Sequence, residues 1–305
     1  MTPGHTPAVT VVGSINLDTT LRVTSLPGPG ETTLSTAQLV APGGKGGNQA
    51  AAAAWGGATV RFVGSVGDDA AADAATANLR ALGVELSGLE RAPDAPTGSA
   101  VLLVADDAEN VIIVTPGANR AVDPAGVAAA LSAHPPTVLL TQLETPLAVT
   151  AVCAAQPTVP WRVLNPAPAG DAAALAPLLP GFNVVIPNRT ELGQLAGRQE
   201  PRSLDEVAAC VAALAFAGTV IVTLGADGAA VWEPGARTPL VLPPPAVTPV
   251  DTSGAGDVFC GVFAAELARH GDVAAAAAAA VAASAASTER SGAQLGPGAL
   301  TRVRS

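Results

Sequence analysis

The sequence predicts an α/β protein built on a parallel β-sheet with helices on both faces. Short apolar runs rich in β-branched residues and leucine recur between alanine-rich stretches that favour helices. These runs are apolar on both faces, which is typical of parallel strands covered by helices on two sides. Two further segments alternate apolar and polar residues, which predicts a small second sheet with one face in water.

The elements of the main sheet follow one another in regular alternation. We expect strands at residues 9–12, 60–63, 138–143, 162–164, 184–186 and 220–224. Helices are expected at residues 49–55, 69–82, 124–133, 147–155 and 204–217, with two more at about 257–270 and 272–287. Alternation of strand and helix indicates parallel pairing, because parallel strands need a crossover connection.

The two alternating segments predict antiparallel hairpins. Residues 19–23 and 33–40 flank a Pro-Gly-Pro-Gly turn at 27–30, and residues 97–104 and 111–115 flank a polar turn at 106–110. We interpret them as a lid that projects from a single domain spanning residues 1–305, formed by about 15–42 and 96–116. The alternative is that they are edge strands of the main sheet.

Composition excludes several classes of partner. The chain has 305 residues, 25 acidic and 15 basic, for a net charge of −10, so we expect neither nucleic acid nor an anionic membrane surface as a partner. Residues 1–8 lack the basic start and apolar centre of a signal peptide. Cys153, Cys210 and Cys260 are widely spaced without a C-x-x-C motif, which indicates buried thiols in a reducing compartment. We therefore expect a cytoplasmic protein.

The most informative motif is Val-Asp-Thr-Ser-Gly-Ala-Gly-Asp at residues 250–257, directly before a predicted helix. Small residues at a helix start leave amides free to bind an anion, and the helix dipole adds a favourable potential. Such a cradle suits a phosphoryl group in transfer, and Asp257 could accept the proton of an attacking hydroxyl. The alternative makes Asp257 an N-cap and the glycines a tight turn.

Two common nucleotide-binding loops are absent. The P-loop pattern fails because Lys45 is followed by Gly46 and position 39 is leucine. The dinucleotide pattern fails because Gly254-Ala255-Gly256 is followed by Asp257, Val258 and Phe259. The sequence therefore predicts neither a P-loop protein nor a dinucleotide-binding one.

Two polar clusters near the N-terminus suit a polyhydroxylated ligand. Lys45, the only lysine, lies in a glycine-rich run with Asn48, and the glycines allow a ligand close to the backbone. Asn16 and Asp18 follow the first strand, at the edge where open α/β sheets bind ligands. The alternatives are a flexible or solvated loop for the first cluster and turn stabilisation for the second.

Further candidate ligand-binding residues follow the carboxyl ends of three later predicted strands. Glu144 follows the third predicted strand, and the alternative to a ligand role is a carboxylate at the start of its helix. Asn188 and Glu191 follow the fifth strand and could hold a hydrated magnesium ion with phosphate, or could simply cap a helix. The segment at residues 223–228 contains two glycines directly after a predicted strand, which suits a nucleotide. The three histidines show no partner pattern for a zinc site.

Together these motifs resemble the ribokinase family of carbohydrate kinases over nearly the whole chain and in the family's order. The resemblance implies a doubly wound, mostly parallel sheet with a β lid that also forms a homodimer contact. The motifs that carry it are residues 13–16 with Asp18, 43–50, 142–144, 165–168 and 251–257.

The resemblance also implies a reaction, in which ATP phosphorylates the primary hydroxyl of a sugar, O5 for ribose. Asp257 would be the general base, and Gly254, Ala255 and Gly256 would form the anion hole. The sugar would be held by Asn16, Asp18, Gly44, Lys45, Asn48, Glu144 and Asp257. ATP would be held by Asn188, Thr223, Gly225, Ala226, Gly228 and Gly256, with Mg²⁺ on the phosphates and Glu191 reaching it through water.

Potassium activation is a further property that the resemblance implies. Gly296 stands where the family usually has serine, so it could contribute only its backbone. The matching positions for the ion are Asp251, Ser253, Ser287, Arg290, Gly292 and Gly296.

Other readings remain open at this point. The acceptor could instead be fructose, a deoxy-sugar acid or a nucleoside, although aromatic residues make up only 3% of the chain and base stacking favours aromatic faces. A sugar-binding sensor that kept the fold without turnover is a reading of another class, because fold does not determine function.

Overall fold

A computed structural model describes residues 8–107 and 109–299, in which 13 strands are numbered in chain order. The strands are β1 (Ala8–Val12), β2 (Asn16–Val23), β3 (Ala37–Gly43), β4 (Thr59–Gly67), β5 (Glu85–Ala92), β6 (Ser99–Ala105), β7 (Asn110–Thr115), β8 (Val138–Thr141), β9 (Trp161–Leu164), β10 (Val184–Val185), β11 (Thr219–Thr223), β12 (Ala229–Trp232) and β13 (Leu240–Leu242).

The helices alternate with these strands. They are α1 (Lys45–Trp55), α2 (Ala70–Ala81), α3 (Pro124–Ala133), α4 (Leu147–Ala154), α5 (Ala172–Leu175), α6 (Arg189–Leu195), α7 (Leu204–Ala213), α8 (Ala255–His270) and α9 (Val273–Ser287). Short 3-10 turns occupy Gly117–Ala121, Ala176–Gly181 and Gly225–Asp227.

The larger sheet has nine strands in the order β13-β12-β11-β10-β9-β8-β1-β4-β5. The strands from β11 to β5 pair in parallel, and only β12 and β13 are antiparallel. Strand order reverses at β1, which pairs with β4 on one side and β8 on the other. A crevice for ligands is expected at the carboxyl ends of the strands beside such a reversal. The doubly wound, mostly parallel sheet is therefore confirmed.

Four strands form a separate sheet in the order β3-β2-β6-β7. Both predicted hairpins are confirmed, because β2 pairs antiparallel with β3 and β6 pairs antiparallel with β7. The alternative, that they are edge strands of the main sheet, is wrong. The first hairpin is displaced along the chain, since β3 runs over 37–43 and not 33–40.

Several element boundaries differ from the sequence-based expectation. Helix α1 begins at Lys45, four positions before the predicted start, and α8 begins at Ala255. Glycine has low helix propensity, so the glycine-rich first turns were not recognisable as helix. The strands β5, β12 and β13 lie at the two ends of the sheet and were not predicted. The two outermost strands, β5 and β13, are partly exposed, which weakens their apolar signal, and β12 has only four residues.

Close packing of α1 against α8 brings the two helix starts to one place. Gly261 of α8 makes this possible, because a Cβ there would lie 2.3 Å from the backbone oxygen of Gln49. The three cysteines are free and buried, as predicted. Among the residues that the structure describes, no helix combines the length and the apolar character needed to cross a bilayer.

Candidate active site

The first turn of α1 is built from the glycine-rich run around Lys45. Gly44 has φ 79°, and the backbone N–H of Lys45 donates to Glu144 Oε2 at 2.9 Å. Ser14 Oγ donates to the same oxygen at 2.5 Å and accepts from the Gly46 N–H at 3.2 Å. A Cβ on Gly46 would lie 2.6 Å from the Ser14 nitrogen, so glycine is required for this contact. The run is therefore a packed helix start and not a flexible loop.

Glu144 does not cap its own helix. Helix α4 has Pro146 at its N-cap without a side-chain hydrogen bond. Instead, the Glu144 carboxylate accepts from Lys45 and Ser14 across the site. A carboxylate is favourable at the positive end of a helix dipole, here that of α1.

The start of α8 has a different construction. Gly254 is in the left-handed conformation with φ 71°, and a Cβ there would lie 2.3 Å from the Ala293 oxygen. The first hydrogen bond of α8 runs from the Val258 N–H to Gly254 O. The N–H groups of Gly256 and Asp257 come before it and therefore have no acceptor within the helix. A Cβ on Gly256 would meet no atom within 4 Å, which leaves open space beside this backbone.

Asp257 lies in the first turn of α8 and is not its N-cap. Its side chain makes no cap bond and is 6% exposed. Oδ2 accepts from Asn48 Nδ2 at 3.0 Å, and Oδ1 accepts from Gln49 Nε2 at 2.9 Å. The N-cap interpretation of Asp257 is therefore wrong, because two amides of α1 hold its carboxylate.

A cleft of about 200 Å³ opens at the carboxyl edge of the sheet, between the starts of α1 and α8. It brings together many of the predicted residues: Lys45, Asn188, Glu191, Thr223, Gly254, Ala255, Gly256 and Asp257. Asn165, Thr252 and Cys260 also line it, and sequence reasoning did not select them for the site. A carboxylate, an ammonium group and the open end of a helix thus share one cavity.

Lys45 is held in its charged form by surrounding carboxylates. Burial lowers the pKa of its ammonium, but the charges of Asp257, Glu144 and Glu191 raise it, so the pKa stands above its usual value. Burial raises the pKa of Glu191, although the bond from the Asn188 backbone and the charge of Lys45 act to lower it. The cleft therefore carries a positive charge beside the open end of α8, which suits a phosphoryl group.

Asn16 and Asp18 lie at the base of the smaller sheet, next to the start of α1. Asp18 Oδ1 accepts from the Ala100 N–H at 2.8 Å, and a Cβ on Gly43 would lie 1.9 Å from Asp18 Oδ2. Burial raises the pKa of Asp18 to about 6, although the bond from Ala100 acts to lower it. Asn16 Oδ1 accepts from Asn119 Nδ2 at 2.8 Å. These side chains adjoin the cleft through residues 43–45 but do not line it.

The segments that follow β10 and β11, on the other side of the cleft, contact each other. Asn188 caps α6 in a capping box with Glu191, so the capping alternative is correct for their local geometry. A backbone bridge joins Asn188 to Thr223. Arg189 pairs with Asp227 at 2.9 Å, which connects α6 to the turn that carries Ala226. Gly225 and Gly228 have φ values of 65° and 85°, and neither lines the cleft.

The positions that the resemblance implies for potassium lie before α8, at the last residue of α9 and after it. Asp251 accepts from the amides of Ser253 and Gly292, each at 2.9 Å. Although burial raises the pKa of Asp251, these bonds lower it below its usual value. Ser287 Oγ donates to Ser284 O at 2.7 Å. Gly296 lies next to α2, where a Cβ on it would be 3.3 Å from Asn78 Oδ1.

Sequence reasoning missed several buried amides of the site. Gln49, Asn119, Gln142 and Asn165 are each at most 8% exposed. The bonds that join them to one another and to the site cross separations of 93, 104, 116 and 208 residues. The sequence contains no spacing that relates such pairs, since helices and strands relate only near neighbours.

Comparison with known proteins agrees with this geometry. Residues 6–299 match the model of the pfkB family carbohydrate kinases. The chain is 34% identical to Haemophilus influenzae ribokinase over 94% of both chains, and 33% identical to Salmonella typhimurium deoxyribokinase over 88% of both. A solved structure of Arabidopsis thaliana ribokinase complexed with ribose and ATP is similar, with TM-score 0.82 and 30% identity over 94% of both chains.

The family match covers almost all of the described chain, and the relatives match it over nearly their whole length. A carboxylate, a lone ammonium and an open helix start in one cleft are the groups that phosphoryl transfer to an alcohol requires. The chain therefore belongs to the pfkB family of carbohydrate kinases, as an ATP-dependent sugar kinase of the ribokinase type.

Proposed function

We propose that this kinase phosphorylates the 5-hydroxyl of D-ribose. The observation that carries the proposal is the shared cleft, in which Asp257 lies beside Lys45 and the open start of α8. Asp257 accepts the proton of the hydroxyl while O5 bonds to the γ-phosphorus and the bond to ADP breaks. The amides of Gly254 and Gly256 and the charge of Lys45 stabilise the phosphoryl group in transfer. The Ala255 N–H, which the resemblance also placed in the anion hole, already donates to Thr252 O at 3.2 Å.

The sugar is proposed to lie between Asp257 and the base of the smaller sheet. Asn16, Asp18, Asn48 and Glu144 offer carboxylates and amides around residues 43–45, and Gly44 lets the sugar approach the backbone. Vicinal hydroxyls both donate and accept, which suits this mixture of groups. The Arabidopsis relative, which is complexed with ribose and ATP, supports this choice of acceptor.

ATP is proposed to enter from the side of β11 and α6. Asn188, Thr223 and Gly256 line the cleft, and Gly225, Ala226 and Gly228 form the adjoining turn. The carboxylate of Glu191 suits a hydrated Mg²⁺ carried by the phosphates.

A potassium ion is proposed near Asp251, Ser253, Ser287, Arg290 and Gly292. Asp251 supports this site, because its carboxylate accepts from the amides of Ser253 and Gly292 and so joins the segment before α8 to the segment after α9. Gly296 supports this site least, because it lies against α2.

Deoxyribose is a second acceptor that a specific observation favours. The deoxyribokinase relative is almost as similar as the ribokinase relative, at 33% against 34% identity. The test is an acceptor panel of ribose, deoxyribose, fructose, a deoxy-sugar acid and a nucleoside, with coupled ADP detection, with and without K⁺. We expect ribose to give the highest kcat/KM and K⁺ to raise it. A better turnover of another acceptor would overturn the ribose assignment.

Asp18 predicts a pH dependence of sugar binding. With its pKa at about 6, Asp18 is the ionised acceptor of a sugar hydroxyl at pH 7 and is largely protonated at pH 5. The KM for ribose should therefore rise by roughly tenfold from pH 7 to pH 5, following the ionised fraction. Asp18→Asn should raise KM at pH 7 and remove this dependence. An unchanged pH profile of KM in Asp18→Asn would contradict the role of Asp18.

The same group has an opposite effect on the stability of the sugar-free protein. Its pKa of about 6 in the folded state exceeds the ordinary value of 3.8, so the folded state binds the proton more tightly. Asp18 therefore adds stability at low pH that is lost as pH rises through 6. Thermal unfolding of wild type and Asp18→Asn at pH 5 and pH 7 would separate this effect from sugar binding.

We further propose that the smaller sheet acts as a lid and forms a homodimer. Every residue of the edge strand β7 is exposed, including Ile112 and Ile113 at 55% and 59%. An exposed apolar edge strand is unfavourable unless another chain covers it.

The dimer proposal gives a direct prediction. Ile113→Glu should convert the protein from dimer to monomer, because a charge on this face opposes its burial. Light scattering after size-exclusion chromatography measures the mass, with the exposed Leu204→Glu on α7 as the matched control. A wild-type monomer, or a variant that stays dimeric, would refute the interface.

A further inference from the structure

Gln49 is a buried side chain that the roles assigned above do not use. It is 0% exposed and follows Asn48 in α1. Its Nε2 donates to Asp257 Oδ1 at 2.9 Å, so it contacts the group proposed as the general base. The inference below rests on that proposed role of Asp257.

All hydrogen-bonding groups of the Gln49 amide are engaged. Nε2 donates its second hydrogen to Asn165 Oδ1 at 3.0 Å, and Oε1 accepts from Gln142 Nε2 at 2.6 Å. Asn165 and Gln142 are 8% and 1% exposed. Buried amides with every bond satisfied have little freedom to reorient.

The direction of this chain of amides is imposed by the backbone. Asn165 Nδ2 donates to the carbonyl oxygen of Ile186 at 2.8 Å, and a carbonyl can only accept. Asn165 Oδ1 must therefore face Gln49. If the Gln49 amide were reversed, its oxygen would face both Asn165 Oδ1 and Asp257 Oδ1, which is repulsive.

The orientation of the Gln142 amide leaves one of its own polar atoms without a partner, which is unfavourable in free energy. Its Oε1 is buried and has no hydrogen-bond partner among the described residues. A Cβ on Gly13 would lie 2.1 Å from this oxygen, so the Gln142 side chain fits here only because residue 13 is glycine. An unpaired buried acceptor is unfavourable. Reversing the Gln142 amide would instead remove the donor that Gln49 Oε1 requires.

We propose that Gln49 is a positioning residue for the phosphoryl transfer. Gln49 holds one carboxylate oxygen of Asp257 while Asn48 holds the other at 3.0 Å. Donors on both oxygens prevent rotation of the carboxylate, and each oxygen keeps a lone pair for the sugar hydroxyl. The relay consists of the bonds from Ile186 through Asn165 to Gln49 and of the bond that Gln142 donates to Gln49 Oε1. It thus fixes the direction in which the base accepts its proton. A misplacement of about 1 Å at a reacting group can reduce the rate by roughly 10²-fold.

A double-mutant cycle with Asp257 tests the proposal. Gln49→Met keeps the length of the side chain but removes its donors. In the wild-type background we expect kcat to fall by about 10- to 100-fold, with the KM values for ribose and ATP changed less than about threefold. In the Asp257→Asn background Gln49→Met should have almost no further effect, because the carboxylate that it positions is gone. Initial rates of wild type, the two single variants and the double variant give the coupling free energy between Gln49 and Asp257.

The outcomes distinguish this inference from the base assignment. If Asp257→Asn alone keeps its activity, the base assignment fails. If Asp257→Asn is slow and Gln49→Met lowers kcat equally in both backgrounds, Gln49 has a structural role and the positioning proposal is overturned. Thr150→Val is the control, since Thr150 is buried in α4, does not line the cleft and has a hydroxyl with no partner among the described residues. It should leave kcat unchanged.

A second variant keeps the test valid if Gln49→Met does not fold. Gln142→Leu removes the donor to Gln49 Oε1 together with the unpaired oxygen, so its effect on stability should be smaller. We expect it to lower kcat by a smaller factor than Gln49→Met, again only when Asp257 is present. An unchanged kcat in Gln142→Leu would contradict the relay.

Discussion

Asp257→Asn is expected to lower kcat by roughly 10²–10⁴-fold, the range usual for loss of a general base. The substitution preserves size, but an amide cannot take the proton of the sugar hydroxyl. Its NH₂ group would also face one of the two amides that now donate to the carboxylate, Asn48 Nδ2 or Gln49 Nε2. The KM values for sugar and ATP should change much less than kcat, since Asp257 is only one of several residues proposed to hold the sugar.

The measurement is the initial rate of ADP release with ribose, together with calorimetry of ribose binding to the same variant. Asp205→Asn is the matched control, because Asp205 also lies in the first turn of a helix, α7, but is exposed. The control should keep wild-type kcat. Full activity in Asp257→Asn, or loss of ribose binding together with activity, would reject its role as the base.

Lys45→Met is expected to lower kcat by roughly 10²–10³-fold, the loss seen when one preorganised group for a developing charge is removed. The ammonium is the only lysine side chain in the protein, and surrounding carboxylates raise its pKa. In the variant, Asp257, Glu144 and Glu191 lose their shared cation, so the negative charge of the cleft opposes phosphate. Methionine has a similar length and helix propensity, so the first turn of α1 should persist.

Steady-state kinetics in ATP and ribose measure this loss, and circular dichroism checks the fold. A reagent that modifies amines gives an independent test, because Lys45 is its only side-chain target. Its modification should inactivate the enzyme, and ATP should protect against it. Wild-type kcat in Lys45→Met would exclude a role of the ammonium in the transfer.

The sequence contained enough local information to predict the main sheet and the position of the cleft. Central strands such as β1 and β11 are apolar on both faces, and this pattern reflects burial that any parallel sheet imposes. The motif at residues 250–257 marked the start of α8, because glycines before a helix are a local property. The edge strands β5 and β13 could not be predicted, since fewer neighbours constrain their composition. Strand β12 lies inside this end of the sheet and has only four residues, which is too short for a clear pattern.

Local signals misled where tertiary contacts replace a usual cap. The glycines of residues 43–47 disfavour a helix by propensity, yet α1 begins at Lys45 because Glu144 and Ser14 satisfy its first amides. Glu144 comes from a position 99 residues away, so its bond has no sequence signature. The same limitation concealed that Asp257 receives two amides from α1.

The amino-acid sequence alone determined the class of fold, the candidate carboxylate Asp257 and the unique ammonium Lys45, because periodicity and short motifs are written in neighbouring residues. Only the tertiary structure decided which groups meet. The approach of α1 to α8 at Gly261, and the relay from Gln49 to Asn165 and Ile186, depend on residues far apart in the chain. Packing in three dimensions brings such residues together, and no local pattern encodes their distances.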